Sequence, residues 1–225
     1  MQTVLSPSPD AVWSRARLQA ALRLYLVTNQ ASLAGRSLHD VVLAAVQGGV
    51  GCVQLREKTL NSRDFFAQAQ ALMKLLQPLG VPLIINDRID IALACGAQGV
   101  HLGQSDLPVA AARALLPPQV FMGWSVETPA QVAQSASLPV DYLGVSPVFA
   151  TPTKTDTATP WGLKGLQALR SQTPLPLVAI GGIHAGNAAQ VLAAGADGLA
   201  VVSAICAAPD PRAAARQLRS LIDAP

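Results

Sequence analysis

Charge is scarce in this chain: of 225 residues only 13% are Asp, Glu, Lys or Arg, and aromatic residues make up 4%. So little charge leaves no room for a long solvated arm or an acidic or basic tail. The net charge of +3 comes from scattered residues. No basic cluster interleaved with aromatics marks a nucleic-acid surface. The three cysteines, Cys52, Cys95 and Cys206, are far apart and lie in apolar runs, unlike the paired spacing of zinc or redox sites. They read as buried free thiols, and a cytoplasmic location is the expectation. No apolar run reaches the ~18 residues that a membrane helix needs. Ser6-Pro7-Ser8-Pro9-Asp10 interrupts the N-terminus too early for a signal-peptide core. There is also no Gly-x-Ser-x-Gly, no Cys-His pair and no lysine buried mid-strand, so covalent catalysis is poorly supported.

What the chain has in quantity is apolar residues, 51% of the total, arranged in a strict alternation. After a loose arm over 1–9, Asp10 can cap a short helix to about Leu22, with Val12, Leu18 and Leu22 on one face. A helix covering the bottom of a barrel is favoured over a transit peptide. Strand-like runs follow at 24–28, 52–56, 82–86, 99–103, 120–125, 142–148, 177–181 and 198–202. Helix-like segments rich in Ala, Leu and Gln lie between them, at 37–47, 61–77, 108–116, 127–136, 162–171, 186–194 and 210–222. Alternation of this kind means parallel strands with both sheet faces covered, and eight such units close a (β/α)₈ TIM barrel, a single α/β domain. The division expected is an N-terminal arm and short helix over 1–23 and the barrel over 24–225. A weak repeat agrees: Gly49-Val50-Gly51, Gly96-Ala97-Gln98-Gly99 and Gly195-Ala196-Asp197-Gly198 share one helix-to-strand turn. The structural competitor is an open doubly wound sheet. It would normally show a glycine-rich turn after its first strand, where this chain has Thr28-Asn29-Gln30.

In a barrel, chemistry collects on the loops at the C-terminal strand ends. Two apolar runs stop abruptly at carboxylates, Asp87 after strand 3 and Asp106 after strand 4. Side by side at one rim they would repel unless a hard cation such as Mg²⁺ lay between them. Strand 2 ends Gln54-Leu55-Arg56-Glu57-Lys58, where alternation aims Gln54, Arg56 and Lys58 into the mouth. Two cations there can bind a many-oxygened anion, although Arg56 can also simply pair with Glu57 or Asp87. Asn86 precedes the first carboxylate. Ser125 points inward from strand 5 and is either a ligand or a helix cap. Strand 6 runs into a hydroxyl-rich loop around Thr151-Pro152-Thr153-Lys154, whose composition suits a lid. Gly181-Gly182 after strand 7, with Val202-Ser203 after strand 8, suits a phosphate. His39, His101 and His184 lack metal-ligand spacing, and His101 reads as a satisfied core residue.

Together, Gln54-Leu55-Arg56-Glu57-Lys58, Asn86-Asp87-Arg88, His101-Leu102-Gly103-Gln104 with Asp106, Gly123-x-Ser125, Thr151-Pro152-Thr153-Lys154, Ile180-Gly181-Gly182-Ile183 and Val201-Val202-Ser203-Ala204-Ile205 resemble the thiamine phosphate synthase family over residues 24–205. The resemblance implies coupling of 4-amino-2-methyl-5-hydroxymethylpyrimidine diphosphate to 4-methyl-5-(2-phosphoethyl)thiazole or its carboxylated form, with release of diphosphate. It implies that Arg56, Lys58, Asn86, Ser125 and Lys154 hold the pyrimidine diphosphate, with Gln54 near the pyrimidine. Thr151, Thr153, Gly182, Val202 and Ser203 would contact the thiazole phosphate, Leu55, Glu57 and Pro152 would be further substrate-binding residues, and Asp87 and Asp106 would bind one Mg²⁺. Arg56, Lys58, Lys154 and Ser125 would carry the catalytic charge stabilisation. The partners expected are phosphorylated small molecules, with no nucleic acid and no membrane, and a homo-oligomer is left open. The rivals are the sister thiazole tautomerase and a non-catalytic sensor of a phosphorylated metabolite. Ala150 and Trp124 depart from the family pattern without removing a ligand.

Overall fold

Parallel strands buried on both faces lose the usual in-out alternation of polarity and read as continuous apolar runs, which is why short runs such as Leu83-Ile84-Ile85 are strands here. The computed structural model describes residues 13–151 and 159–224. It begins with α1 (Arg15–Leu22), β1 (Leu24–Val27), α2 (Leu38–Gln47), β2 (Cys52–Leu55), α3 (Ser62–Leu76), β3 (Leu83–Asn86), α4 (Ile89–Cys95) and β4 (Gly99–Leu102). It continues with α5 (Val109–Leu115), β5 (Phe121–Val126), α6 (Pro129–Ser135), β6 (Tyr142–Val145), α7 (Gly162–Arg170), β7 (Leu177–Ile180), α8 (Ala188–Ala193), β8 (Gly198–Val201), α9 (Ser203–Cys206) and α10 (Pro211–Asp223). The strands pair in parallel in sequence order, and β8 pairs back onto β1 to close the barrel. The (β/α)₈ expectation holds, and the open doubly wound sheet is excluded.

Two apolar layers result. Outward residues such as Leu26, Val53, Leu55, Ile85, Leu102 and Leu143 pack under the helices. Inward residues Tyr25, Val27, Cys52, Ile84, Phe121, Tyr142, Val178 and Ala200 fill the barrel with Leu18 and Leu22 of α1. The repeat glycines are where positive φ is required: Gly49, Gly96 and Gly195 have φ of 107°, 71° and 103°. All three precede strands at the bottom of the barrel and speak to the fold alone.

The N-terminal helix closes that bottom, as expected, but its start differs. Ser14, whose Oγ accepts from the Arg17 N–H at 3.2 Å, caps α1. Asp10 and Val12 lie outside the described residues. The fit under the barrel is close: a Cβ on Gly198 would come within 2.0 Å of the Leu22 carbonyl oxygen, and one on Gly51 within 2.4 Å of that of Ala21. Trp13 adds an edge-on contact to Phe121 with ring centroids 5.4 Å apart.

Other boundaries move for local reasons. Helix α6 starts at Pro129, two residues after Glu127, because Thr128 and Gln131 form a reciprocal capping box. That box also means Ser125 is not a helix cap. The expected strand 142–148 ends at Val145. The one-turn α9, unexpected from the sequence, begins at Ser203 directly after the last strand.

No helix among the described residues is long and apolar enough to cross a membrane. Cys52 and Cys206 are fully buried, and burial pushes the Cys206 thiol up to about 11 and that of Cys52 well above its usual value. Cys95, half-buried, is raised less. With Ellman's reagent at neutral pH, native protein is expected to label slowly at Cys95 alone, and all three thiols only in denaturant. Fast labelling of two or more thiols in native protein would contradict this packing.

Candidate active site

The mouth of the barrel holds a cavity of about 620 Å³. It is built by the residues that follow each strand, and its floor by the last inward-facing side chains. On β2 the alternation places Gln54, Arg56 and Lys58 in the cavity wall. Leu55 is fully buried in the outer layer instead, and Glu57 is not among the lining residues. A substrate contact from Leu55 would therefore have to come from its backbone. Glu57 keeps one carboxylate oxygen, Oε1, buried without a partner, and burial raises its pKa against the opposing pull of Arg56. Thr28 Oγ1 accepts from the Arg56 N–H at 3.1 Å and fixes that strand end.

Asp87 leaves β3 in the left-handed conformation, with φ of 62°. This is uncommon outside glycine, and Asp is among the residues that tolerate it. The turn is held by the Asp87 N–H donating to the His101 carbonyl at 2.9 Å and the Arg88 N–H to that of Asn86 at 2.7 Å. It delivers the Asp87 carboxylate to the cavity, where Lys58 Nζ donates to its Oδ2 at 2.5 Å. Asp106 is fixed by its own loop, its Oδ2 accepting from the Gly103 N–H at 2.6 Å. Its pKa is raised, first by burial and then by its hydrogen bond with Asp87. The two carboxylates are thus neighbours at one rim, as the sequence suggested. Among the described residues no group of three or more His, Cys, Asp and Glu comes together.

The floor was not legible in the sequence. Gln54 Nε2 donates to Tyr25 Oη at 2.6 Å, Tyr25 Oη lies 3.0 Å from Tyr142 Oη, and Tyr142 Oη lies 3.0 Å from His101 Nδ1. His101 Nε2 then meets Ser125 Oγ at 2.9 Å. Each of these polar atoms meets a partner, so Gln54, Tyr25, Tyr142, His101 and Ser125 hold one another in place across the floor. Burial pushes both phenols well above their usual pKa, so both remain hydroxyls. His101 is therefore hydrogen-bonded inside the barrel, as expected, yet it also lines the cavity. The one hint in the sequence is that Tyr25 and Tyr142 interrupt otherwise apolar strands, but their partners come together only when the barrel closes.

Across the mouth, Gly181 and Gly182 have φ of 103° and 64°, and they line the cavity with Val202, Ser203 and His184. A Cβ on Gly182 would come within 2.8 Å of that of Phe149. Thr151 also lines the cavity. Pro152, Thr153 and Lys154 lie outside the described residues, with most of the segment read as a lid.

The profile of the family described as thiamine monophosphate synthase matches residues 24–205. The chain belongs to this family. It is therefore an enzyme, a synthase of thiamine phosphate. It is 74% identical over 208 residues to a thiamine-phosphate synthase of Albidiferax ferrireducens, covering 92% of this chain and 94% of that one. A thiamine-phosphate synthase of Vibrio parahaemolyticus is 53% identical over 204 residues, 90% of this chain and 99% of the other. Among solved structures, a thiamine phosphate pyrophosphorylase from Pyrococcus furiosus superposes with a TM-score of 0.84 at 33% identity, covering 92% and 98% of the two chains. A 3-hexulose-6-phosphate synthase, with a TM-score of 0.64 at 20% identity, shares the fold alone.

Proposed function

We propose that this synthase joins the pyrimidine diphosphate to the thiazole phosphate, or its carboxylated form, with loss of diphosphate assisted by Mg²⁺ and, from the carboxylated form, loss of CO₂ as well. The observation that supports this most is the pair of facing rims: Arg56, Lys58, Asp87 and Asp106 on one side, the Gly181–Gly182 turn with Ser203 on the other. Two anionic groups can be held apart across one cavity. A tautomerase acting on the thiazole alone would leave the first rim without a ligand.

Asp87 and Asp106 fit Mg²⁺, which is commonly bound by one or two carboxylates, with water and substrate phosphate oxygens completing its shell. Only hard oxygen donors are offered, and burial and the neighbouring Asp87 raise the Asp106 pKa, a penalty that a cation would offset. When bound, the ion would supply positive charge against the leaving diphosphate.

The chain's own residues do the rest. Arg56 and Lys58, with Lys154, hold the diphosphate and stabilise its growing charge as the carbon–oxygen bond breaks. Lys58 exchanges its bond to Asp87 for one to the substrate. Gln54 and Asn86 orient the pyrimidine side, and the Ser125 hydroxyl donates to the diphosphate. Gly182, Val202 and Ser203, with Thr151 and Thr153, seat the thiazole phosphate so that the ring nitrogen forms the new carbon–nitrogen bond. No side chain acts as a nucleophile, and positioning can supply effective molarities of about 10⁵ M.

The test is a coupled assay with purified protein. Diphosphate is expected to appear only when both substrates and Mg²⁺ are present, and to stop on chelation. Isomerisation of a thiazole without coupling, or binding without turnover, would overturn the reading.

A further inference from the structure

Among the described residues, the strand 7 side of the cavity holds one polar side chain that has no role so far. His184 lines the cavity two residues beyond Gly182, on the turn between β7 and α8. In a closed barrel of eight sequential strands β7 stands diametrically opposite β3. His184 thus faces the cavity from the side away from Asp87.

Its orientation is fixed at both ends. The His184 backbone N–H donates to Asn187 Oδ1 at 2.9 Å, and Asn187 Nδ2 donates to the Gly182 carbonyl at 2.9 Å. One amide therefore ties the histidine to the glycine turn. The ring is held as well: His184 Nδ1 accepts from the Gly186 N–H at 3.1 Å. A nitrogen that accepts carries no proton, so the proton of the neutral ring sits on Nε2, which becomes a donor.

Resting on the proposed coupling reaction, we propose that His184 is a substrate-contacting residue, its Nε2–H donating to the phosphate of the thiazole partner beside the Gly181–Gly182 turn. A phosphate monoester has more oxygens than a two-residue glycine turn can satisfy, and a fixed donor on the same turn adds one directed contact. Such a residue favours the phosphorylated thiazole over the free alcohol, and it leaves recognition of the pyrimidine diphosphate untouched.

Two substitutions separate the ring's functions. In His184→Asn the side-chain oxygen can still accept from the Gly186 N–H, but the long-reach donor is lost. In His184→Gln the amide nitrogen reaches to about the place of Nε2. His184 is exposed, so both variants are expected to fold, which a melting curve verifies. The H184N protein should show a KM for the thiazole phosphate raised about tenfold, the worth of one hydrogen bond to a charged group. Its KM for the pyrimidine diphosphate should not change, and H184Q should recover most of the loss. With the phosphate-free thiazole alcohol the H184N penalty should vanish. An unchanged KM in H184N, or an equal loss on phosphate and alcohol, or a loss on the pyrimidine diphosphate, would overturn the assignment. Calorimetric binding of the thiazole phosphate to wild type and H184N keeps the two readings apart. If wild type binds it but does not couple it, the reaction proposed above fails, and weaker binding by H184N still supports the contact; equal binding by both proteins removes it.

Discussion

Replacing Asp87 by asparagine is expected to lower turnover about 100-fold or more and to flatten its dependence on Mg²⁺, with the melting temperature nearly unchanged. Asparagine is the informative substitution because of the backbone. With φ of 62°, position 87 sits where a β-carbon is normally disfavoured, and Asn shares with Asp the tolerance for it. Alanine would add ~1 kcal/mol or more of strain and confuse a lost ligand with a loosened turn. Stability should hold because the salt bridge that is lost, to Lys58, has its lysine half exposed, and such pairs are worth roughly 0–1 kcal/mol. The measurement is steady-state turnover over a Mg²⁺ titration beside thermal melts. A normal rate at low Mg²⁺ would remove the metal role from this rim. A large drop in melting temperature would instead mean that Asp87 serves mainly to hold the turn.

That turn shows how legibility divided. The abrupt end of Leu83-Ile84-Ile85-Asn86 at a carboxylate is visible in the sequence, because a buried strand admits no charge until it reaches solvent. The same logic exposed Arg56, Lys58 and Asp106, so the rim of the site could be read from where apolar runs stop. Its floor could not. Tyr25, Gln54, His101 and Tyr142 lie inside the runs, and their hydroxyls and nitrogens are satisfied by one another across strands far apart in sequence. Only closure of the barrel brings them together. His101 could be read as hydrogen-bonded, but its partners could not be read. Boundaries failed where a cap outcompeted the apolar pattern, at Ser14 and Thr128, and α9 is too short to show any periodicity.

The second large effect follows from that floor. Replacing Gly123 by alanine, one methyl group in a strand whose backbone any residue can adopt, is expected to destabilise the protein by about 3 kcal/mol and to abolish most of its activity. Gly123 pairs with His101 of β4 on one side and with Tyr142 of β6 on the other. Because it has no side chain, the Tyr142 ring can lean across it to reach the histidine, with ring centroids 5.6 Å apart. A Cβ at Gly123 would stand 2.1 Å from Tyr142 Cζ and 2.4 Å from its Oη, well inside contact distance. The ring is fully buried in the cavity floor, so it clears the new methyl group only by pivoting toward the cavity. Pivoting breaks the bonds to Tyr25 and His101 together and leaves buried polar atoms unpaired, each at a cost of ~1–3 kcal/mol. Ser125 then loses the histidine that fixes its hydroxyl. Thermal melts should show a fall of roughly 6–12 °C for a chain of this size. Kinetics on the folded fraction should show a drop in kcat as well as in the amount of active enzyme, because the cavity floor is displaced even where the barrel survives. A G123A protein with wild-type melting and turnover would mean that Tyr142 can move freely, and that the hydrogen-bonded chain beneath the cavity does not position Ser125.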